Sequence, residues 1–170
     1  DQPLPPNSGV ITGQSANDIL VGDTGGSQSN FIPGENYNVA LVVDVSGSMD
    51  NDAGIGGGVT RLDLLKEALE NLAETLADHD GVINLTLITF SQAASELITI
   101  RDFDQADLAG LVATINNLDA NDATNYESAF GVATSWFADP LKATEGFVNQ
   151  TFFVTDGDPT RYLDNNGNPV

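Results

Sequence analysis

The chain has 170 residues, 41% of them hydrophobic and 18% charged. That is the balance of one ordinary globular domain, at a length where roughly 70% of the unfolded surface can be buried. Its 25 Asp and Glu against 5 Lys and Arg leave a formal charge of -20, which excludes nucleic-acid binding and attachment to anionic membranes. There is no Cys and one His, His79, so disulfides, thiol nucleophiles, thiolate metal sites and His-rich zinc sites are excluded as well. Apolar runs such as Val39–Val43 are too short for membrane insertion. The chain begins at Asp1 without Met or a leader and reads as a piece of something longer. So acidic a surface suits a cation-rich solvent or sites for divalent ions.

In chain order, residues 1–36 are rich in Pro, Gly, Ser and Asn, carry no lasting period, and read as a linker. From Asn38 strands and helices alternate. Asn38–Asp44 reads as a strand buried on both faces. Thr60–Asp78 reads as a helix with Leu62, Leu65, Leu69, Leu72 and Leu76 on one stripe, opened by a capping box of Thr60 and Asp63. Val82–Phe90 is a second strand and Ala94–Arg101 a third, as a hairpin partner or an edge. Gln105–Leu118 and Asn125–Ala138 read as helices, the latter burying Ala129, Phe130, Ala133, Trp136 and Phe137 and stopped by Pro140. Phe147–Thr155 is a fourth strand. The order predicts an α/β fold: a doubly wound, mostly parallel sheet flanked by helices.

Such sheets bind ligands beyond the carboxyl ends of their strands. The unusual polar residues fall there: Asp44-Val45-Ser46-Gly47-Ser48 after the first strand, Asn121–Asn125 before the last helix, and Asp156-Gly157-Asp158-Pro159 after the fourth strand. These loops meet if the first and fourth strands are neighbours. Hydroxyl and carboxylate oxygens are hard donors, suited to Mg²⁺, Ca²⁺ or Mn²⁺. Alternate residues of the first loop can face one centre, with Gly47 expected to permit a tight backbone. Asp50 and Asp52, beside the glycine-rich loop Ala53–Val59, are candidates for a second ion or simply a solvated loop. Asp122 and Asp158 read as surface and cap residues, His79 as a helix-end residue and Trp136 as core.

Asp-x-Ser-x-Ser, a later Thr and a later Thr-Asp-Gly after an apolar strand resemble the von Willebrand factor A domain and its metal-ion-dependent adhesion site. The resemblance implies direct metal ligation by Ser46, Ser48 and Thr124, water-mediated ligation by Asp44 and Asp156, and a sixth position for an acidic group of a protein or surface partner. It also implies two further strands and helices beyond the third motif, so the domain, residues 37–170, is expected to be incomplete at its end. Phe152, Phe153 and Val154 would then lie on an apolar edge. Gly13–Gly26 resembles one worn copy of the glycine-rich calcium-binding repeat of RTX proteins, although a single copy cannot build their β-helix. Together these features resemble giant secreted RTX adhesins of bacteria.

The expected function is therefore a metal-dependent adhesion module at the cell surface or outside the cell, not an enzyme. The alternative is an ion-rigidified spacer of a calcium-loaded fibre. A Mg²⁺ phosphotransferase is disfavoured by the missing phosphate-cradling loop and by the lack of Lys or Arg near the loops, Arg161 being the sole candidate.

Overall fold

The computed structural model describes residues 31–157, 159–164 and 167. The glycine-rich repeat at 13–26, most of the proposed linker and Asp158 lie outside the described residues.

Four strands form one sheet in the order β3-β2-β1-β4. They are β1 (Tyr37–Asp44), β2 (Ile83–Phe90), β3 (Ala94–Ile100) and β4 (Val148–Val154). Strand β1 pairs in parallel on both sides, with Tyr37 opposite Ile83 on β2 and opposite Val148 on β4. All eight of its residues are buried, as its unbroken apolar, β-branched run requires of a central strand. Strand β3 resolves the choice left by the sequence: it is both hairpin partner and edge, antiparallel to β2.

Helices cover both faces, which is the doubly wound arrangement. Helices α1 (Arg61–Ala77) and α2 (Leu108–Asn116) lie on the face carrying Val39, Leu41 and Val43. Helix α3 (Tyr126–Ala138) covers Ala40 and Val42 on the other. In α1 the expected capping box is present, Thr60 Oγ1 accepting from Asp63 N–H while the Asp63 carboxylate accepts from Thr60 N–H. Leu72 is only half-buried and Ala73 takes the core position beside it. Helix α2 starts three residues later than its apolar period suggests. Asp104 draws the chain into a turn first, its carboxylate accepting from Ala106 N–H at 2.7 Å and its carbonyl from Asp107 N–H at 3.1 Å.

In α3, Ala129, Ala133 and Trp136 are buried, whereas Phe130 and Phe137 are only partly so. Trp136 also satisfies its indole N–H on Thr99 Oγ1 at 2.8 Å. Strand β4 is the sheet edge, yet Phe153 is 3% exposed there. It stacks on Phe90 and Phe130 and meets Tyr126 edge-on. Phe152, on the other face, packs near Phe31, and of the expected apolar edge Val154 is the exposed member.

Residues 31–36 are packed against the domain. Phe31 meets Tyr37 edge-on and lies 5.9 Å from the His79 ring. The His79 ring also bonds the Glu35 carbonyl through Nε2 at 2.7 Å. Here two segments of the chain come so close that a Cβ at Gly81 would overlap the Glu35 carbonyl.

Candidate metal centre

The carboxyl ends of β1 and β4 lie side by side, and their following loops meet there. Asp44, the last residue of β1, is fully buried. A carboxylate so placed needs donors on each oxygen. Oδ1 accepts from Ser46 N–H at 2.8 Å and Oδ2 from the Thr155 hydroxyl at 2.6 Å. The Tyr126 hydroxyl lies 3.0 Å from Thr155 Oγ1 and beside the Gly157 carbonyl, and its one hydrogen serves one or the other of these acceptors. Asp44 is thereby locked to β4 and, through it, to the start of α3.

Ser46 opens a short 3-10 turn, Gly47–Asp50. This turn brings Ser46 Oγ within 3.1 Å of Ser48 Oγ, and Ser48 Oγ donates to Asp156 Oδ1 at 2.8 Å. A hydroxyl has one hydrogen. Ser48 gives its own to Asp156, so Ser46 donates to Ser48. Gly47 reaches this geometry without a left-handed φ, contrary to the expected need for glycine's freedom. Space does not demand glycine either: Gly47 N–H donates to the Asp122 carbonyl at 2.9 Å, and a Cβ there would stand 3.4 Å from that oxygen, close to an ordinary contact.

Thr124 arrives by the same route. Asn121 N–H donates to the Val45 carbonyl at 2.8 Å, docking the third loop on the first. Thr124 is 5% exposed and immediately precedes Asn125, which caps α3 by accepting from Ser128 N–H. Residues beyond Asp156 fold back over it: Thr160 and Arg161 N–H both donate to the Thr124 carbonyl, and Thr124 N–H donates to Thr160 Oγ1.

The structure thus joins Asp44, Ser46, Ser48 and Asp156 through direct bonds or one bridging residue, and ties the Thr124 loop to the same place by backbone bonds. Asp50 and Asp52 are not part of this cluster. Both are exposed, and the Asp52 carboxylate turns back to Gly54 N–H at 2.7 Å. The glycine-rich loop is pinched shut by Ala53 N–H on the Val59 carbonyl. Among the described residues no group of three or more His, Asp or Glu could hold a metal, so any ion here would depend on hydroxyls.

One residue overturns the expectation that Arg161 is the sole cation in reach. Arg61 Nη1 donates to Asp156 Oδ2 at 2.5 Å. Arg161 instead touches the site through its backbone N–H. Sequence reasoning also missed Thr155 and Tyr126 as the residues that hold Asp44. Thr155 carried a signal, since it directly precedes Asp156 at a strand end. Arg61 carried a weaker one, a cation at the N-terminal end of a helix, where the macrodipole disfavours it.

The donor set fits a hard divalent ion. Adjacent oxygens around an octahedral ion with ~2.1 Å bonds lie about 3 Å apart, and the two candidate direct ligands Ser46 Oγ and Ser48 Oγ stand 3.1 Å apart. This is also the distance at which the same oxygens share a hydrogen.

A doubly wound α/β domain with its polar site at the carboxyl ends of β1 and β4 defines the class of protein. The chain matches the von Willebrand factor type A domain over residues 39–158 and belongs to that family. No curated protein matches it. Solved structures similar to it include a D319A mutant of the PilB minor pilin from Streptococcus sanguinis (TM-score 0.62, 23% identity, 81% of this chain and 34% of that one). The vWF domain of the type V pili tip protein Mfa5 from Porphyromonas gingivalis is another (0.59, 18%, 79% and 41%). The pilus adhesin SpaC from Lactobacillus rhamnosus GG is a third (0.58, 20%, 82% and 17%). At these identities the likeness is one of fold, and the chain spans less than half of each of those structures.

Proposed function

We propose that this domain is a divalent-metal-dependent adhesion module of a secreted or surface-bound bacterial protein, binding a carboxylate of its partner. The observation that carries the reading is the string Ser46–Ser48–Asp156, with oxygens 3.1 and 2.8 Å apart at the carboxyl ends of adjacent strands. The pilus proteins that share the fold support the adhesive, surface-exposed setting.

Ser46, Ser48 and Thr124 are the residues that would hold the ion directly, with Asp44 and Asp156 behind them. A bound Mg²⁺, Ca²⁺ or Mn²⁺ supplies a position open to an outside carboxylate. The chain's own part is to keep that site ready: Thr155 and Ser46 N–H fix Asp44, and the 3-10 turn aligns two hydroxyls toward Asp156. With three neutral hydroxyls as its direct ligands and both carboxylates acting through water, the ion is left under-neutralised in its inner shell. An acidic partner group is the natural complement, and nucleic acid is disfavoured by the chain's charge of -20. This arrangement supports a binding role.

The test is calorimetric titration of Ca²⁺, Mg²⁺ and Mn²⁺ into chelator-stripped protein, beside Ser46→Ala. Binding in the range of ~10⁻⁴–10⁻³ M, usual for extracellular calcium modules, is expected in the parent and lost or weakened at least tenfold in the variant. Equal binding by both would move the ion away from Ser46 and overturn the reading.

A further inference from the structure

Of the five Lys and Arg in a chain of net charge -20, one is committed to the candidate centre. Arg61 Nη1 bonds Asp156 Oδ2 at 2.5 Å, while Ser48 Oγ bonds Oδ1 of the same carboxylate at 2.8 Å. Arg61 is the first residue of α1, where the unsatisfied N–H groups make a cation unfavourable. The helix therefore does not account for the charge at this position; Asp156 does. The base of the side chain is fixed, because Arg61 N–H donates to the Asn51 carbonyl at 3.0 Å and the preceding residue, Thr60, is held by its capping box. Its outer part is free to leave: the Arg61 side chain is 42% exposed, that of Asp156 only 9%.

We propose that Arg61 is a built-in counter-cation of the metal centre. It holds Asp156 in place when no ion is bound and competes with the ion for the charge of that carboxylate. The proposal rests on the metal-binding reading above. Asp156 carries one negative charge and cannot neutralise a guanidinium and a divalent ion together. An ion entering beside Ser46 and Ser48 must either displace Arg61 toward solvent or bind against its repulsion. In both cases Arg61 weakens divalent affinity while keeping the empty loops ordered. It is a positioning residue that sets the loading threshold and need not touch the ion.

The experiment uses the whole chain as parent, Arg61→Gln and Arg61→Ser, the second variant guarding against an effect peculiar to one replacement. Calcium chloride and magnesium chloride are titrated separately by calorimetry, and melting is followed in EDTA and in saturating divalent ion. Removing one unit charge a few ångströms from the ion is expected to tighten binding on the order of tenfold. In EDTA both variants are expected to melt about 2–4 °C below the parent, and saturating ion should abolish or reverse that gap. Equal or weaker affinity in both variants, with Ser46→Ala still abolishing binding, overturns the role of Arg61 and leaves the metal reading intact. No binding in parent or variants overturns both.

Discussion

Gly81 shows how one backbone position can carry a contact that no side chain makes. It sits between the end of α1 and β2, where a Cβ would run into the Glu35 carbonyl, the same oxygen that His79 bonds. Gly81→Ala must push residues 31–36 off the domain or shift β2. The expected cost is about 1–3 kcal/mol, as for other overpacked sites, read from urea unfolding followed by Trp136 fluorescence. A variant as stable as the parent would mean that the 31–36 segment yields freely. At the centre itself, single atoms matter in the same way. Thr155 Oγ1 is one of two donors to a carboxylate that is fully buried, so its loss leaves an oxygen without compensation.

Helix α1 is the element that links stability to the centre, because its first turn presents both Thr60 and Arg61. Asp63 accepts from Thr60 N–H at 2.9 Å and from the Thr60 hydroxyl at 2.8 Å. The backbone bond first, then the hydroxyl, holds its pKa below the ordinary value. A depressed folded pKa stabilises above the unfolded value and loses that contribution as pH falls through the folded one. The capping box is therefore intact at neutral pH and opens only in acid, below about pH 4. Asp63→Asn is expected to flatten this part of an acid titration of helicity. Thr60→Ala, which removes the N-cap hydroxyl, should cost about 1 kcal/mol at pH 7, measured by thermal melting; an unchanged melting temperature would show that tertiary contacts alone hold the first turn.

Across the whole molecule, the dominant electrostatic fact is self-repulsion. With a charge of -20 against two ion pairs among the described residues, Arg61–Asp156 and Lys142–Glu96, repulsion outweighs pairing. Raising NaCl from about 10 to 150 mM shortens the screening length from ~30 to ~8 Å. In EDTA, the melting temperature is expected to rise over that range, because repulsion among scattered acids is screened more than the short pairs are. A fall would mean that the pairs dominate. Divalent ion added at constant ionic strength separates this diffuse effect from occupancy of the centre.

Local pattern was sufficient for the strands and helices. The 3,4 spacing of leucines in α1, the β-branched run of β1 and the stop at Pro140 act within a few residues of chain, where hydrophobic period and backbone sterics operate. Five polar positions stood out for the same reason, each at the end of a predicted strand or the start of a helix, and the structure joins four of them, Asp44, Ser46, Ser48 and Asp156, through hydrogen bonds. Which of them meet was a tertiary matter. Only the pairing of β1 with β4 brings Asp44 to Thr155 and Ser48 to Asp156. Only the packing of α1 against the sheet turns Arg61 onto Asp156, and only the pinched glycine loop turns Asp52 back on Gly54. Direction of a side chain depends on neighbours more than 90 residues away in sequence for Arg61 and Asp156, and no local period encodes that. The sequence by itself determined the elements and the oxygen chemistry; the fold decided which oxygens share hydrogens and which cation stands among them.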